Sequence, residues 1–265
     1  MIHWRLVARH HIATGREGFV AEMTSSVVGV VRAIYRYPVK SMRGESLDES
    51  SVEWPGIPGD RSYAFVQSEN HSTFPYLTGR ELPELLLYTP AITDPSRPYY
   101  SPVMVTTPEG ATYLIGSEEL HASIAQRYPH PFHLLRLGRR ATHDAAPLSV
   151  ITTSTITSLG NTLGMALDPM RFRPTILIET PEGDPAPEQR WVGQSLMFGE
   201  DEMRMIVSEP DERCKMITLD PTTAEAEPRV LAEVVRSRDS QLGVYGLPQR
   251  RGVLRVGQSV SLLPS

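Results

Sequence analysis

V-V-G-V-V-R-A-I-Y-R-Y, residues Val27–Tyr37, is the stretch whose reading decides the fold class. β-Branched and aromatic side chains dominate it, as in a strand. Pro38 ends easy continuation as a helix, and Val39–Gly44 (V-K-S-M-R-G) reads as a turn. The same grammar continues towards the carboxyl end. Leu47–Trp54, Arg61–Gln67, Leu85–Thr93 and Val103–Thr107 read as strands, with Pro55–Asp60 as a turn cluster. Pro108-Glu109-Gly110 joins Val103–Thr107 to Ala111–Ile115 as a hairpin. Phe132–Leu137 and Phe172–Ile178 add strands, the latter bent by Pro174. Ser195–Phe198 and Met203–Val207 form a hairpin around Gly199–Glu202, and Gly252–Leu263 is a final strand pair around a Gly-Gln turn. Helical spacing occurs in three places: Glu118–Arg127 behind Ser117 as N-cap, Ile156–Leu167 behind a Ser/Thr run, and Pro228–Ser237. The expected class is therefore mainly β with a few helices (α+β), a barrel or sandwich.

Bulk properties narrow the function. A chain of 265 residues supports one large or two smaller domains. Its formal net charge of −5 argues against non-specific nucleic-acid binding, which needs Lys and Arg to neutralise phosphates. No apolar run approaches the ~20 residues that cross a bilayer, so no membrane association is expected. Residues 1–26 contain no secretory hydrophobic region and are expected to be a poorly ordered extension, with Met23 an alternative start. A single cysteine, Cys214, excludes an internal disulfide and an all-cysteine metal site, and fits a reducing cytoplasm.

Five local features carry candidate chemistry, each beside an ordinary reading. Lys40-Ser41 pairs a cation with a hydroxyl on a turn, suited to a phosphate or simply to solvent. Arg61, at a strand start, can grip a phosphate bidentately or form a salt bridge. Thr152, Thr153, Ser154 and Thr155 precede a helix, where N–H groups and hydroxyls hold an oxyanion or cap the helix. Arg171 and Arg173 bracket Phe172, and strand alternation puts both on one side, as an anion site or a solvated face. Cys214, between Arg213 and Lys215, is either a thiolate favoured by two cations or a small buried hydrophobe. None of the eight histidines shows zinc-site spacing. There is no P-loop, G-x-G-x-x-G or G-x-S-x-G; a Cys–His thiol hydrolase with a remote histidine stays open.

Four ordered segments then resemble one family: I-Y-R-Y-P-V-K-S-M-R-G (Ile34–Gly44), G-D-R-S-Y-A-F-V (Gly59–Val66), R-F-R-P-T-I-L-I (Arg171–Ile178) and E-R-C-K-M-I-T-L-D-P-T-T (Glu212–Thr223). Thr78–Leu85, Asp144–Leu148 and Gly243–Val260 support them. The chain resembles the MOSC family (molybdenum-cofactor sulfurase C-terminal domain) with its N-terminal β-barrel domain, a family that includes the mitochondrial amidoxime-reducing component and bacterial relatives. The resemblance covers about Val27 to Ser265.

It implies a molybdenum cofactor, a metal held by the dithiolene of a phosphorylated pterin. Cys214 is the matching catalytic and metal-ligand position, and soft thiolates suit such a metal. Lys40, Ser41, Arg61 and Arg173 match the phosphate anchors, Arg171 lies in the same motif, and Thr152, Thr153 and Ser154 match a cofactor-lining segment. At family level it also brings pyridoxal phosphate binding. Thr175 stands where the family usually has asparagine. The implied architecture is an N-terminal β-barrel domain over 27–135 and a MOSC β-barrel domain over 140–265, with the cofactor between them. The implied reaction is reduction of N–O bonds in small N-hydroxylated compounds, with electrons from a separate donor protein. Two alternatives stand beside it: a carrier of molybdenum cofactor, or of sulfur on Cys214, without turnover; and a relic fold in which Cys214 is filling.

Overall fold

Residues 26–139, 141–200 and 203–263 are described by a computed structural model. The expected extension over residues 1–26 lies outside the described residues except for Ser26, which begins the first strand, and positions 201 and 202 of the Gly199–Glu202 turn also lie outside them. The opening stretch is a long strand, β1 (Ser26–Arg36), followed by the short β2 (Glu45–Leu47) and β3 (Glu49–Val52). Then come β4 (Tyr63–Gln67), β5 (Thr89–Ile92), β6 (Val103–Thr106) and β7 (Thr112–Leu114). Helix α1 (Glu118–Ala125) is capped by Ser117, whose hydroxyl accepts from the Leu120 N–H, and β8 (Phe132–Arg136) closes this half. The second half holds β9 (Leu148–Thr152), α2 (Thr153–Leu163), β10 (Ile176–Glu179), β11 (Ser195–Phe198) and β12 (Met203–Glu212). It ends with α3 (Pro228–Arg238), β13 (Gln241–Arg250), β14 (Gly252–Arg255) and β15 (Ser259–Leu263).

Seven strands close a barrel in the order β1-β10-β9-β13-β12-β11-β15, with β15 returning to β1 and β2 attached to β1's far end. Within this barrel β9 and β10 pair in parallel while its other described pairings are antiparallel, and α2 is the crossover helix between them. Closure depends on β1, which serves β10 through Val30–Ile34 and β15 through Ser26–Val30. Gly29 permits the approach: a Cβ there would lie 2.4 Å from the Glu179 carbonyl oxygen. The interior is apolar, with Val31, Ile34, Val150, Leu196, Phe198 and Val244 all at most 1% exposed. The first half has its own core, in which β4–β8 and β5–β6–β7 enclose Leu85, Val105, Leu120 and Ile124. A third cluster packs α2 and α3 on the barrel's outer wall through Ile156, Leu159, Val230 and Val234, together with Tyr37, Phe172 and Ile217.

Several expected elements change. Leu85–Thr93 divides into a 3₁₀ turn, Pro83–Leu87, and β5, because Pro83 presets the turn's φ. Phe172–Ile178 is a strand only from Ile176; Pro169–Phe172 is a 3₁₀ turn capped by Asp168. The acidic stretch after Val207 remains strand to Glu212. Gly252–Leu263 contains two strands, but they do not pair: β14 joins β3 while β15 joins β1 and β11.

Candidate functional site

A cavity of about 340 Å³ is lined by Lys40, Ser41 and Arg61 from the first half and by Arg171, Arg173, Arg213 and Cys214 from the second. The chain leaves β1 through Tyr37, whose N–H donates to Asp60 Oδ1 at 2.7 Å and whose hydroxyl donates to the Pro174 carbonyl at 3.1 Å. That fully buried phenol ties the two halves together, and burial drives its pKa well above the usual tyrosine value. Both Arg61 and Arg173 set their guanidinium groups on the Tyr37 ring, 4.7 and 4.3 Å from its centre. Ser41, Arg61 and Arg173 all have left-handed backbones, with φ of 64°, 47° and 50°. Non-glycine residues seldom adopt this conformation, which is held by surrounding structure and concentrates at ligand sites.

The cations differ in how they are balanced. Lys40 Nζ donates to Asp144 Oδ1 at 2.6 Å and to the Thr142 carbonyl at 2.8 Å, near the Phe74 and Tyr76 rings. Burial lowers its pKa, with Asp144 opposing. Arg61 pairs with Asp60. Arg171 donates to the Thr218 carbonyl at 2.8 Å and to Asp220 Oδ2 at 3.0 Å. Arg173 has no carboxylate partner among the described residues. Its Nη1 donates to the Met42 carbonyl at 2.8 Å, its Nη2 is buried without any hydrogen-bond partner, and burial pushes its pKa down to about 10. Six lining cations (Lys40, Arg61, Arg80, Arg171, Arg173, Arg213) face three carboxylates (Asp144, Asp211, Glu212). The cleft is thus positive in a chain of net charge −5, a field that focuses anions.

Cys214 lies just beyond β12 and starts the 3₁₀ turn Lys215–Thr218. It is exposed to the cleft, so it is not core filling. Neither flanking cation stacks on it: Arg213 reaches away to the Leu242 and Phe172 carbonyls, at 2.6 and 2.8 Å, and Lys215 towards the Arg80 carbonyl. His143 shares the cleft, but its ring nitrogens face the Pro55 carbonyl (3.2 Å) and Asp60 (3.9 Å). A Cys–His hydrolytic pair therefore has no support. Among the described residues no group of three His, Cys, Asp or Glu side chains is placed to hold a bare metal ion. A metal at Cys214 would have to arrive with ligands of its own.

Six of the sequence-derived positions, Lys40, Ser41, Arg61, Arg171, Arg173 and Cys214, converge here. Arg171 and Arg173 do so without the strand alternation expected of them, through the 3₁₀ turn and the left-handed cap that follows it. Thr152, Thr153 and Ser154 are not brought to the cleft. β9 contributes Ser149 near its start, and α2 begins four residues on, about 13 Å along the strand. There Thr152 donates to Glu188 Oε2 at 2.8 Å, the Thr153 hydroxyl accepts from the Thr180 N–H, and Ser154 bonds the Thr180 hydroxyl at 2.7 Å. Sequence reading assigned no role to Asp60, His143, Ser149, Asp211 or Tyr245. Arg80 and Asp144 were visible only within supporting segments, and Phe74 not at all, since nothing local marks it.

The chain matches the MOSC domain over residues 108–261 and the MOSC N-terminal beta barrel domain over 28–146. It is 24% identical over 292 aligned residues to Mitochondrial amidoxime reducing component 2 of Bos taurus, covering 88% of this chain and 83% of that protein. It is 29% identical over 126 residues to Mitochondrial amidoxime-reducing component 1 of Danio rerio, covering 44% and 37%. Among solved structures, the YuaD protein from Bacillus subtilis aligns with a TM-score of 0.50 at 12% identity, over 92% of this chain and 99% of that one. At that identity the likeness concerns the fold alone.

Proposed function

The chain belongs to the MOSC-domain family, and from that premise we propose that it is a molybdenum-cofactor oxidoreductase that reduces N–O bonds in small N-hydroxylated compounds. The observation that carries the reading is Arg173: a buried guanidinium with an unpartnered nitrogen, in the same cleft as an exposed thiol. An unpartnered buried donor is costly, and an anionic ligand removes the cost. A phosphorylated pterin supplies that anion, and its dithiolene supplies the metal ligands that the described residues lack. The names of the two mitochondrial relatives supply the reaction class.

Lys40, Ser41, Arg61 and Arg173 would hold the phosphate, and Cys214 would donate its thiolate to the metal. Phe74 and Met216 line the same cleft and present apolar surface to the substrate. When bound, the cofactor contributes a two-electron metal centre. The protein's residues bind, orient and exclude water. Electrons come from a separate redox protein, and the setting is cytoplasmic.

The test is metal and pterin analysis of protein purified from a cofactor-producing host. Equimolar molybdenum and pterin, lost in Arg173→Ala and reduced in Cys214→Ser, are the expected result. Absence of both from the wild-type protein overturns the reading. The exposure of Cys214 also favours one second reading, a sulfur carrier, which a persulfide on Cys214 without bound metal would support.

A further inference from the structure

A second cavity, of about 750 Å³, shares no lining residue with the cleft. The end of β1 with β2, β3 and β14 forms one side, and the β5–β6 connection, residues 93–102, forms the other. Its volume falls within the roughly 300–1,000 Å³ of small-molecule sites. Arg36 and Tyr37 are neighbours in the chain and face apart. Tyr37 meets Arg61 and Arg173 beside the cleft, whereas Arg36 lines the second cavity. Arg36 is 3% exposed. Its Nε donates to Glu45 at 2.7 Å and its Nη1 to the Pro58 carbonyl at 3.3 Å, while Nη2 is buried without a hydrogen-bond partner among the described residues. A buried donor left in that state is costly, and an anionic ligand relieves it.

Charge balance and surface specify the ligand. Three arginines (Arg36, Arg97, Arg139) and two glutamates (Glu49, Glu53) line the cavity. Glu53 lies 3.6 Å from Arg139, and Glu49 lies 3.1 Å from Arg255. Arg97 forms no ion pair among the described residues; nearby Asp94 Oδ1 instead accepts from the Ser96 N–H and hydroxyl, at 3.0 and 2.6 Å. The lining thus carries one surplus positive charge, which matches a carboxylate better than a phosphate dianion. Tyr99 and Tyr100 add flat apolar faces. The Tyr99 hydroxyl donates to Glu53 at 3.4 Å and its ring lies 5.1 Å from the Arg139 guanidinium, which fixes the connection against the barrel. Tyr100 is 70% exposed, with the Arg97 guanidinium 6.0 Å from its ring centre.

We propose that this cavity binds a small aromatic carboxylate, its carboxylate held by Arg36 and Arg97 and its ring packed on Tyr99 and Tyr100. The site stands apart from the oxidoreductase reading, and the molybdenum content of the protein has no bearing on it. Calorimetric titration of the full chain with naphthoate is the test. Expected is one saturable site per chain, weakened about tenfold in Arg97→Ala and about threefold in Tyr100→Ala, and unchanged in Arg173→Ala. Arg97 and Tyr100 are exposed, so neither variant should disturb folding. Arg36→Met should abolish binding; if it fails to fold, the two exposed-residue variants decide. Binding lost in Arg173→Ala but intact in Arg97→Ala places the anion in the cofactor cleft and overturns the proposal. So does the absence of saturation at millimolar naphthoate. Phenyl phosphate binding more tightly than naphthoate overturns the assignment to a carboxylate.

Discussion

Ser41, Arg61 and Arg173 are half of the six described non-glycine residues with positive φ, and all three border one cleft. Each costs on the order of 1–2 kcal/mol, so their clustering marks a place where side-chain direction outweighs backbone comfort. Arg173→Gly tests this. It relieves the backbone while removing the guanidinium, so stability should change by no more than about 1 kcal/mol in urea denaturation. Affinity for inorganic phosphate, read by calorimetry, should fall at least tenfold, because a hydrogen bond to a charged group is worth about 1.5–3 kcal/mol. Arg173→Lys should not restore it fully, since an ammonium cannot reproduce the planar fork on the Tyr37 ring. Asp144 gives a pH signature. Partial desolvation in the cleft opposes its ionisation, but Lys40, Arg61 and Arg173 outweigh it and hold its pKa below the usual range. Its stabilising contribution is therefore present above the unfolded carboxylate pKa and lost as pH falls through the folded value. Thermal unfolding below about pH 4 should show an acid-sensitive component that Asp144→Asn lacks, weakened by salt because the side chain is 60% exposed.

At the scale of the element, the start of α2 shows why a Ser/Thr run need not be a ligand site. Thr152 is the N-cap, and both its hydroxyl and that of Thr155 donate to Glu188 Oε2, at 2.8 and 2.7 Å. Glu188 is fully buried on the 3₁₀ turn Pro187–Trp191. Helix start and turn are therefore joined through one carboxylate. Glu188→Ala should cost about 1–3 kcal/mol in chemical denaturation, the penalty for two buried hydroxyls without an acceptor. Burial raises the Glu188 pKa. The folded state thus favours the protonated form, and its stabilising effect is lost as pH rises through the folded value. Glu188→Gln should flatten that dependence. On β13, Gly243 has φ +79°, and a Cβ there would lie 2.8 Å from the Val150 carbonyl oxygen and 2.9 Å from Arg213 Nη2. Its left-handed turn lets Arg213 cross β13 to reach Asp211.

For the whole molecule, the decisive fact is that a strand near the amino end of the described chain completes a barrel built otherwise from Leu148–Leu263. Without β1, strands β10 and β15 become open edges, and open edges associate. A fragment spanning residues 140–265 should therefore be insoluble or unfolded by circular dichroism. Ile34→Ala, at a fully buried barrel position, should cost about 2–5 kcal/mol and lower a single transition shared by both halves. Two separate transitions, with only the first half affected, would show that the halves fold independently.

Much of the secondary structure was legible locally. The β-branched and aromatic content of Val27–Tyr37, the Pro-Glu-Gly hairpin turn, the Ser117 cap, the Ser/Thr run before α2 and the Pro228 helix start are properties of neighbouring residues, and they survive in the structure. Six residues that line the cleft could be named because each stands in a motif. The partners of those elements could not be read. A period of two marks a strand but does not say whether β14 joins β15 or β3. Nor does local pattern reveal contacts such as Lys40 with Asp144, 104 residues apart, or Arg43 with Pro221, 178 apart. The burial of Asp211, the unpartnered nitrogen of Arg173 and the distance of Thr152–Ser154 from the cleft follow from barrel closure. Only tertiary structure decides them, because register, burial and electrostatic environment are set by residues remote in the chain.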